Sequence, residues 1–329
     1  MGSIQQVMVI HAPSPFPPVR KVGAAGVTVS TMGLGGAPLA NFFRPIPEAE
    51  IAQLIDYCVE KGISFFDTAP QYGCGLSEQR LGRALQTVPR PRFTLATKVG
   101  YMIQGQKRLR KSYSRDSILR SLEESLKRLG LGRIDVVHIH DPDKHYREAL
   151  EVAFPTLAEL RSQGVIGAIG AGMNQWQMPL KFACHADFDC FLVAGRYTLL
   201  KQDSLPLLDF CQQKGIAIFL GGVYNTGILA TGAVEGARYN YHLATPAILA
   251  RVRQIEAVCQ RHNIALRAAA LQFAAAHPAV ASLVIGMECA GEVDDALEAL
   301  HRPIPADLWQ ELRAERLLDE RAPVPPHQP

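Results

Sequence analysis

The feature that most restricts the fold of this chain is a repeated alternation of short apolar runs with longer stretches of helical periodicity. Eight runs carry it: Val27–Leu34, Ile63–Asp67, Phe93–Val99, Ile134–His140, Val165–Gly170, Phe191–Ala194, Ile216–Leu220 and Ser282–Ile285. Their brevity and near-continuous apolar character predict parallel strands buried on both faces. Between them, Pro47–Lys61 sets Ile51, Leu54, Ile55, Cys58 and Val59 on one face and stops at Gly62. Ser114–Leu129 does the same with Ile118, Leu119, Leu122, Leu126 and Leu129, behind a capping Ser114 and before Gly130. Both are bounded as amphipathic helices usually are. Glu148–Gln163, Ser204–Lys214, Pro246–His262 and Glu292–His301 read as further helices. Strands and helices in strict alternation predict a closed α/β barrel or a doubly wound open sheet.

Two observations favour the barrel. No G-x-G-x-x-G follows any of the runs, so the dinucleotide fingerprint of an open sheet is missing. The polar residues of interest also fall at successive strand ends, where barrel enzymes place their chemistry. Asp67 closes the second run, Lys98 stands near the end of the third, and His140 closes the fourth. The expectation is one (β/α)8 TIM barrel over residues 21–320. A Pro-rich segment precedes it (1–20), and a tail follows (321–329) in which order is expected to end at Ala322.

Composition narrows the function classes. The 329 residues are 48% hydrophobic, ample for one large core, and the net charge is only +3. With no basic run interleaved with aromatics, nucleic acid is not an expected partner. The most basic stretch, Lys107–Arg115, has five cations in nine residues and reads as a solvated loop. No window reaches the roughly 18 to 20 apolar residues that span a bilayer, and Pro13, Pro15, Pro17 and Pro18 interrupt the N-terminus where a signal peptide would be continuous. The seven cysteines are scattered and lack a C-x-x-C pair, which predicts reduced thiols, no metal site and a cytoplasmic setting. Nothing in the sequence marks an oligomer interface.

Asp67, Tyr72, Lys98 and His140 would converge at the rim of adjacent strands. Taken singly, they have plain structural readings: Asp67 as a helix cap or loop anchor, Tyr72 as a packing ring beside Gly73 and Gly75, Lys98 as a snorkelling lysine. Together they form a proton-transfer unit. A phenol titrates near ~10, too high for exchange at neutral pH, and a neighbouring ammonium is expected to lower that value. Asp67 would keep the ammonium charged, and His140 would hold the substrate oxygen.

The motifs around these residues resemble those of the aldo-keto reductase family. F-F-D-T-A-P-Q-Y-G (Phe65–Gly73) is similar to the family signature and continues into G-L-S-E-Q-R-L-G-R-A-L (Gly75–Leu85). S-L-K-R-L-G-L (Ser125–Leu131) and I-D-V-V-H-I-H-D-P (Ile134–Pro142) resemble its third helix and fourth strand. The likeness runs from Gly33–Gly36 to Val284–Met287. It implies hydride transfer between a nicotinamide cofactor and a carbonyl or alcohol carbon, with Asp67, Tyr72, Lys98 and His140 catalytic.

The resemblance also implies a cofactor lying across the barrel mouth, touching Gly36, Ala37, Asp67 and Asn174. Met173 replaces a serine that usually accompanies that asparagine. Leu220, Gly221, Gly222, Val223 and Tyr224 match the pyrophosphate loop, where glycines allow close backbone approach. Gly221 stands where many members have an aromatic ring that stacks on nicotinamide. Gly286 and Glu292 stand where members selective for NADP have a lysine and an arginine. A carboxylate repels a 2′-phosphate and can accept from a free ribose hydroxyl, so NAD is expected over NADP. Asp295 matches a residue that contacts adenine.

Within the family, Y-G-C-G-L-S-E and A-G-R-Y-T-L-L resemble the branch of aldose dehydrogenases acting on L-fucose and D-threo-aldoses. This implies oxidation of the anomeric carbon to a lactone, with Tyr72 as general base. Dehydrogenases of L-galactose and of pyridoxal are the alternatives within the branch. Gln71, Asp141, Trp176 and Tyr239 are the candidate substrate contacts for a small sugar, and Arg238–His242 reads as a lid or pocket wall. Three other readings stand beside this one. They are a general NADPH-dependent aldehyde or ketone reductase, a non-catalytic cofactor-binding barrel, and a metal-dependent hydrolase using His138 and His140, which share one strand face.

Overall fold

A computed structural model of the chain describes residues 17–42, 44–105 and 108–326. The chain opens with an antiparallel hairpin, β1 (Val19–Val22) and β2 (Val27–Ser30), and then enters the barrel at β3 (Met32–Gly35). β4 (Phe65–Asp67) and β5 (Thr94–Val99) follow, then a second hairpin, β6 (Tyr101–Gln104) and β7 (Arg108–Lys111). β8 (Ile134–His140), β9 (Ile166–Met173), β10 (Cys190–Ala194) and β11 (Ala217–Gly221) continue the barrel. A short hairpin of β12 (Arg238–Tyr239) and β13 (His242–Leu243) precedes the last barrel strand, β14 (Val280–Gly286). Eight parallel strands close in the order β10-β11-β14-β3-β4-β5-β8-β9, so the expected barrel is the observed one.

Side chains alternate along a strand with period two, and this periodicity builds the site. Phe65, Ala96, Val136 and Ala168 fill the apolar centre of the barrel together with Phe219 and Ala281. Two residues further along each strand the same inward face offers Asp67, Lys98, His138 and Gly170. His140 and Gly172 follow on β8 and β9. The register pairs His138 with Gly170 and His140 with Gly172, so each imidazole faces a neighbour without a side chain. The outer core lies between strands and helices; Ile51, Leu54, Ile55 and Cys58 of the helix Glu48–Glu60 are buried in it as their spacing predicts.

Several expectations need correction. Val27–Leu34 is two strands, because the chain turns at Thr31. The first half pairs antiparallel with β1, and its Val27 and Val29, with Val22, close the N-terminal end of the barrel. The ordered unit therefore begins before residue 21; residues 1–16 of the Pro-rich segment lie outside the described residues. Within the basic stretch expected as a loop, Arg108–Lys111 is β7, paired with β6, and Arg115 starts the helix Arg115–Leu129, capped by the Ser114 side chain. Gln106 and Lys107 lie outside the described residues. Glu148–Gln163 is interrupted by a wide π turn at Ala149–Ala153 before the helix Phe154–Ser162, whose Pro155 lacks an N–H to donate. Ala322 is buried and its carbonyl accepts from Arg313 (2.8 Å), so order continues past the point where it was expected to end. Residues 327–329 lie outside the described residues. Among the described residues no helix is long and apolar enough to cross a membrane.

Candidate active site

Each catalytic candidate is positioned by its own element. Asp67 ends β4, and its carbonyl accepts from Gly36 N (2.7 Å), which ties the β3 and β4 loops together. Tyr72 lies in the loop that follows. Gly73, Cys74 and Gly75 all have positive φ (63°, 52° and 88°), a sharp turn that only two glycines make easy and that launches the helix Leu76–Leu85. That helix is anchored from beneath. Ser77 Oγ donates to the Gly36 carbonyl (2.7 Å), and buried Glu78 accepts from Thr97 Oγ1 (2.7 Å) and from Arg128 Nε (2.7 Å). The Tyr72 loop is thus fixed by a buried polar network.

The side chains converge. Lys98 Nζ donates to Asp67 Oδ2 (2.6 Å) and to the Thr68 carbonyl (2.9 Å), and it reaches the Tyr72 hydroxyl at 3.4 Å. The lysine and aspartate side chains are only 1% and 3% exposed. The His140 ring stands edge-on to Tyr72, with centroids 6.2 Å apart. Burial alone would discharge Lys98, but the facing charges of Asp67 and Tyr72 outweigh it and raise its pKa. Burial pushes Asp67 up while Lys98 pulls it back. With a 2.6 Å bond between them, the pair is best described as ionised.

Tyr72 departs from expectation. Burial raises its pKa above the ordinary value, Lys98 opposes this, and Asp67 adds to it, so the net shift is upward. The expected lowering by the ammonium is present but smaller than the desolvation of the phenolate. His140 is held well below the ordinary histidine range by burial and then by Lys98, so it is a neutral imidazole. Among the described residues its Nδ1 has no partner, nor does Asp67 Oδ1.

Tyr72 and Asp67 open into a cavity of about 1410 Å³ counted out to its solvent mouth. Of the candidate cofactor residues, Gly36, Ala37, Asn174, Gly221, Gly222, Val223, Tyr224 and Gly286 line it, and Leu220 is buried behind the wall. Gly222 at φ 59° and Gly227 at φ 96° present backbone where a side chain would be strained. An extended dinucleotide fits such a trough, because bare glycine backbone is what a pyrophosphate needs to approach closely. Leu192, Ala194, Val284 and Ile285 supply an aliphatic wall. Glu292 and Asp295 do not line the cavity. Glu292 Oε2 accepts from Glu288 N (2.6 Å), and Asp295 pairs with Arg267 (2.8 Å).

Of the candidate substrate residues, Gln71, Trp176 and Tyr239 do not line the cavity; Asp141 and His140 do not line it either but stand together beside Tyr72, with Asp141 Oδ2 3.9 Å from His140 Nε2. Tyr239 packs against the core, while its neighbours Asn240 and Tyr241 form a tight turn with φ of 49° and 67° and reach the cavity. Positive φ at both turn residues is what a two-residue hairpin requires, and Arg238–Leu243 is just long enough to make one. The Arg238–His242 segment thus supplies pocket wall as expected, whereas Tyr101 was missed: its ring lies 5.2 Å from His140 and its hydroxyl 3.4 Å from Asp141 Oδ2. The available signal was the short apolar run Tyr101–Ile103 bounded by Gly100 and Gly105. As for His138, it is buried near the Lys98 charge, and among the described residues neither ring nitrogen has a partner. Among the described residues no group of three or more His, Cys, Asp or Glu is placed to hold a metal ion.

A closed (β/α)8 barrel with an Asp–Lys–Tyr chain and a histidine at its mouth defines a class of proton- and hydride-transfer enzymes. The comparisons agree: residues 31–315 match the model of the aldo/keto reductase family. The chain belongs to that family and is an oxidoreductase. It is 35% identical to D-threo-aldose 1-dehydrogenase of Pseudomonas sp over 90% of this chain and 96% of the relative. It is 34% identical to pyridoxal 4-dehydrogenase of Microbacterium luteolum, over 91% and 97%. For L-galactose dehydrogenase of Arabidopsis thaliana the identity is 28%, over 86% and 88%. In fold it is similar to the aldo-keto reductase AKR11C1 from Bacillus halodurans in its holo form, with a TM-score of 0.77 at 24% identity over 92% and 96% of the two chains.

Proposed function

We propose that this chain is an NAD-linked aldose 1-dehydrogenase that oxidises the anomeric carbon of a small sugar to its lactone. The observation that carries the reading is the Tyr72–Lys98–Asp67 chain beside a neutral His140. A bound nicotinamide supplies the acceptor for the hydride leaving the anomeric carbon. Neutral His140 donates to the sugar oxygen and fixes its direction. Tyr72 Oη removes the hydroxyl proton, Lys98 stabilises the resulting transfer, and Asp67 keeps Lys98 charged. The relatives of known activity support the substrate class.

The preference for NAD is supported by charge. From Gly286 to Leu300 there are five carboxylates and no lysine or arginine. Nearby Arg44 and Arg267 are engaged by Glu288 (2.6 Å) and Asp295 (2.8 Å). A 2′-phosphate would meet repulsion there. All seven cysteines are free thiols, which fits the reducing cytoplasm.

A second reading, oxidation of pyridoxal, is favoured by the near-equal identity to pyridoxal 4-dehydrogenase and by the aliphatic wall, which suits a flat ring. The deciding experiment is a panel of L-fucose, D-arabinose, L-galactose and pyridoxal with NAD and with NADP, following reduced cofactor and identifying products. Lactone formation with a higher kcat/KM for NAD is expected. Turnover of simple aldehydes alone, with NADPH preferred, would reject the reading.

A further inference from the structure

Asp141 is held in a way its neighbours are not. It follows His140 at the end of β8 and takes the left-handed backbone conformation, φ 45°, which a non-glycine residue adopts only when its surroundings fix it. They do so at three points. Its N–H donates to the Gly172 carbonyl (2.9 Å), and its own carbonyl accepts from Lys111 Nζ (2.7 Å) and Tyr113 Oη (3.0 Å). The Lys111 ammonium also lies 5.0 Å over the Tyr101 ring, so the β6–β7 hairpin clamps this corner.

All that fastening goes to the backbone. Among the described residues the carboxylate, with side chain 18% exposed, receives one long bond, from Tyr101 Oη at 3.4 Å. The nearby lysine is spent on the carbonyl instead. An ionised carboxylate offers about four acceptor positions, so this one is poorly satisfied. It points toward the chemistry: Oδ2 is 3.9 Å from His140 Nε2. That is too long for a hydrogen bond between them. It is short enough for two oxygens on adjacent carbons of one ligand to be held, one by the imidazole and one by the carboxylate.

We propose that Asp141, steadied by Tyr101, binds the hydroxyl on the carbon next to the reacting carbon, so that the enzyme selects α-hydroxylated substrates over plain aldehydes and alcohols. This rests on the oxidoreductase reading of the same site and deepens it by naming the recognised group. His140 reads the oxygen that reacts, and Asp141 reads its neighbour.

The test uses pairs of substrates that differ only in that hydroxyl: glycolaldehyde against acetaldehyde in reduction, and an accepted sugar against its 2-deoxy form in oxidation. Wild type should prefer the hydroxylated member of each pair. Asp141→Ala should lose about 10- to 100-fold in kcat/KM on that member, mostly through KM, as expected for losing a hydrogen bond to a charged group. The loss on the plain member should be several-fold at most. Asp141→Asn, which tolerates the same backbone conformation, should keep the fold and lose part of the preference. Tyr101→Phe should lose a smaller part. Equal losses on both members of a pair, or an unchanged preference in Asp141→Ala and Asp141→Asn, would overturn the proposal. If no sugar yields a lactone, the aldose reading fails, and the aldehyde pair still decides the role of Asp141.

Discussion

At the scale of single residues the site depends on the balance between burial and charge around Tyr72. Because its pKa is raised, the phenol is the resting form across the neutral range and the phenolate is scarce. Reduction needs the phenol and oxidation needs its conjugate base. The kcat/KM for oxidation should therefore climb about tenfold per pH unit through the mildly alkaline range, while that for reduction stays level. Steady-state profiles in both directions would check this, and Tyr72→Phe should cost about 10² to 10⁴ in rate in either direction. Lys98→Met would strand the buried Asp67 carboxylate, a loss of about 3–5 kcal/mol measurable by urea unfolding. Adding Asp67→Asn should restore much of that stability and none of the turnover.

At the scale of elements, the helix after the catalytic loop is held by close backbone approach as well as by Glu78. A Cβ on Gly82 would stand 2.6 Å from the Leu129 carbonyl oxygen, where the helices Leu76–Leu85 and Arg115–Leu129 meet. Gly82→Ala should therefore destabilise the fold by about 1–3 kcal/mol despite the better helix propensity of alanine, seen as a lowered Tm. Elements with clear periodicity were legible in the sequence: the helix bounded by Ser114 and Gly130 is found with those bounds. Less regular ones were not. Leu266–Ala276 is alanine-rich, with six consecutive or near-consecutive buried positions and no polar face to give its period away. The β6–β7 hairpin was hidden by its cations: β7 has Arg108, Arg110 and Lys111 and is exposed along its length, a charge pattern typical of loops. Charge reports solvent exposure, and an exposed hairpin has that too.

At the scale of the whole molecule, the barrel buries His138 and His140 as neutral imidazoles. Unfolded, each titrates near ~6.5. Below that pH the unfolded chain takes up protons that the native barrel refuses, so stability present above it is lost as pH falls toward the lowered native values. Urea titrations at descending pH should show this loss, with His138→Leu removing up to about 1.4 kcal/mol per pH unit of the slope. The convergence of Asp67, Tyr72, Lys98 and His140 was legible because strand ends and a linear motif mark those residues. Asp141 was legible as a polar candidate beside His140, but its partner Tyr101 was not, because the two are forty residues apart and meet only in the folded barrel. The pairing of His138 with Gly170 has a consequence for how this lineage can change. A methyl group at 170 would overlap the His138 ring and come within 2.8 Å of Cys190 Sγ, so position 170 cannot grow while His138 is in place. Among relatives, histidine at 138 should be accompanied by glycine at 170, and a bulkier 170 should appear only after 138 has shrunk. Gly170→Ala should accordingly be damaging by itself and rescued only in part by His138→Ala, because Cys190 Sγ still crowds the new methyl.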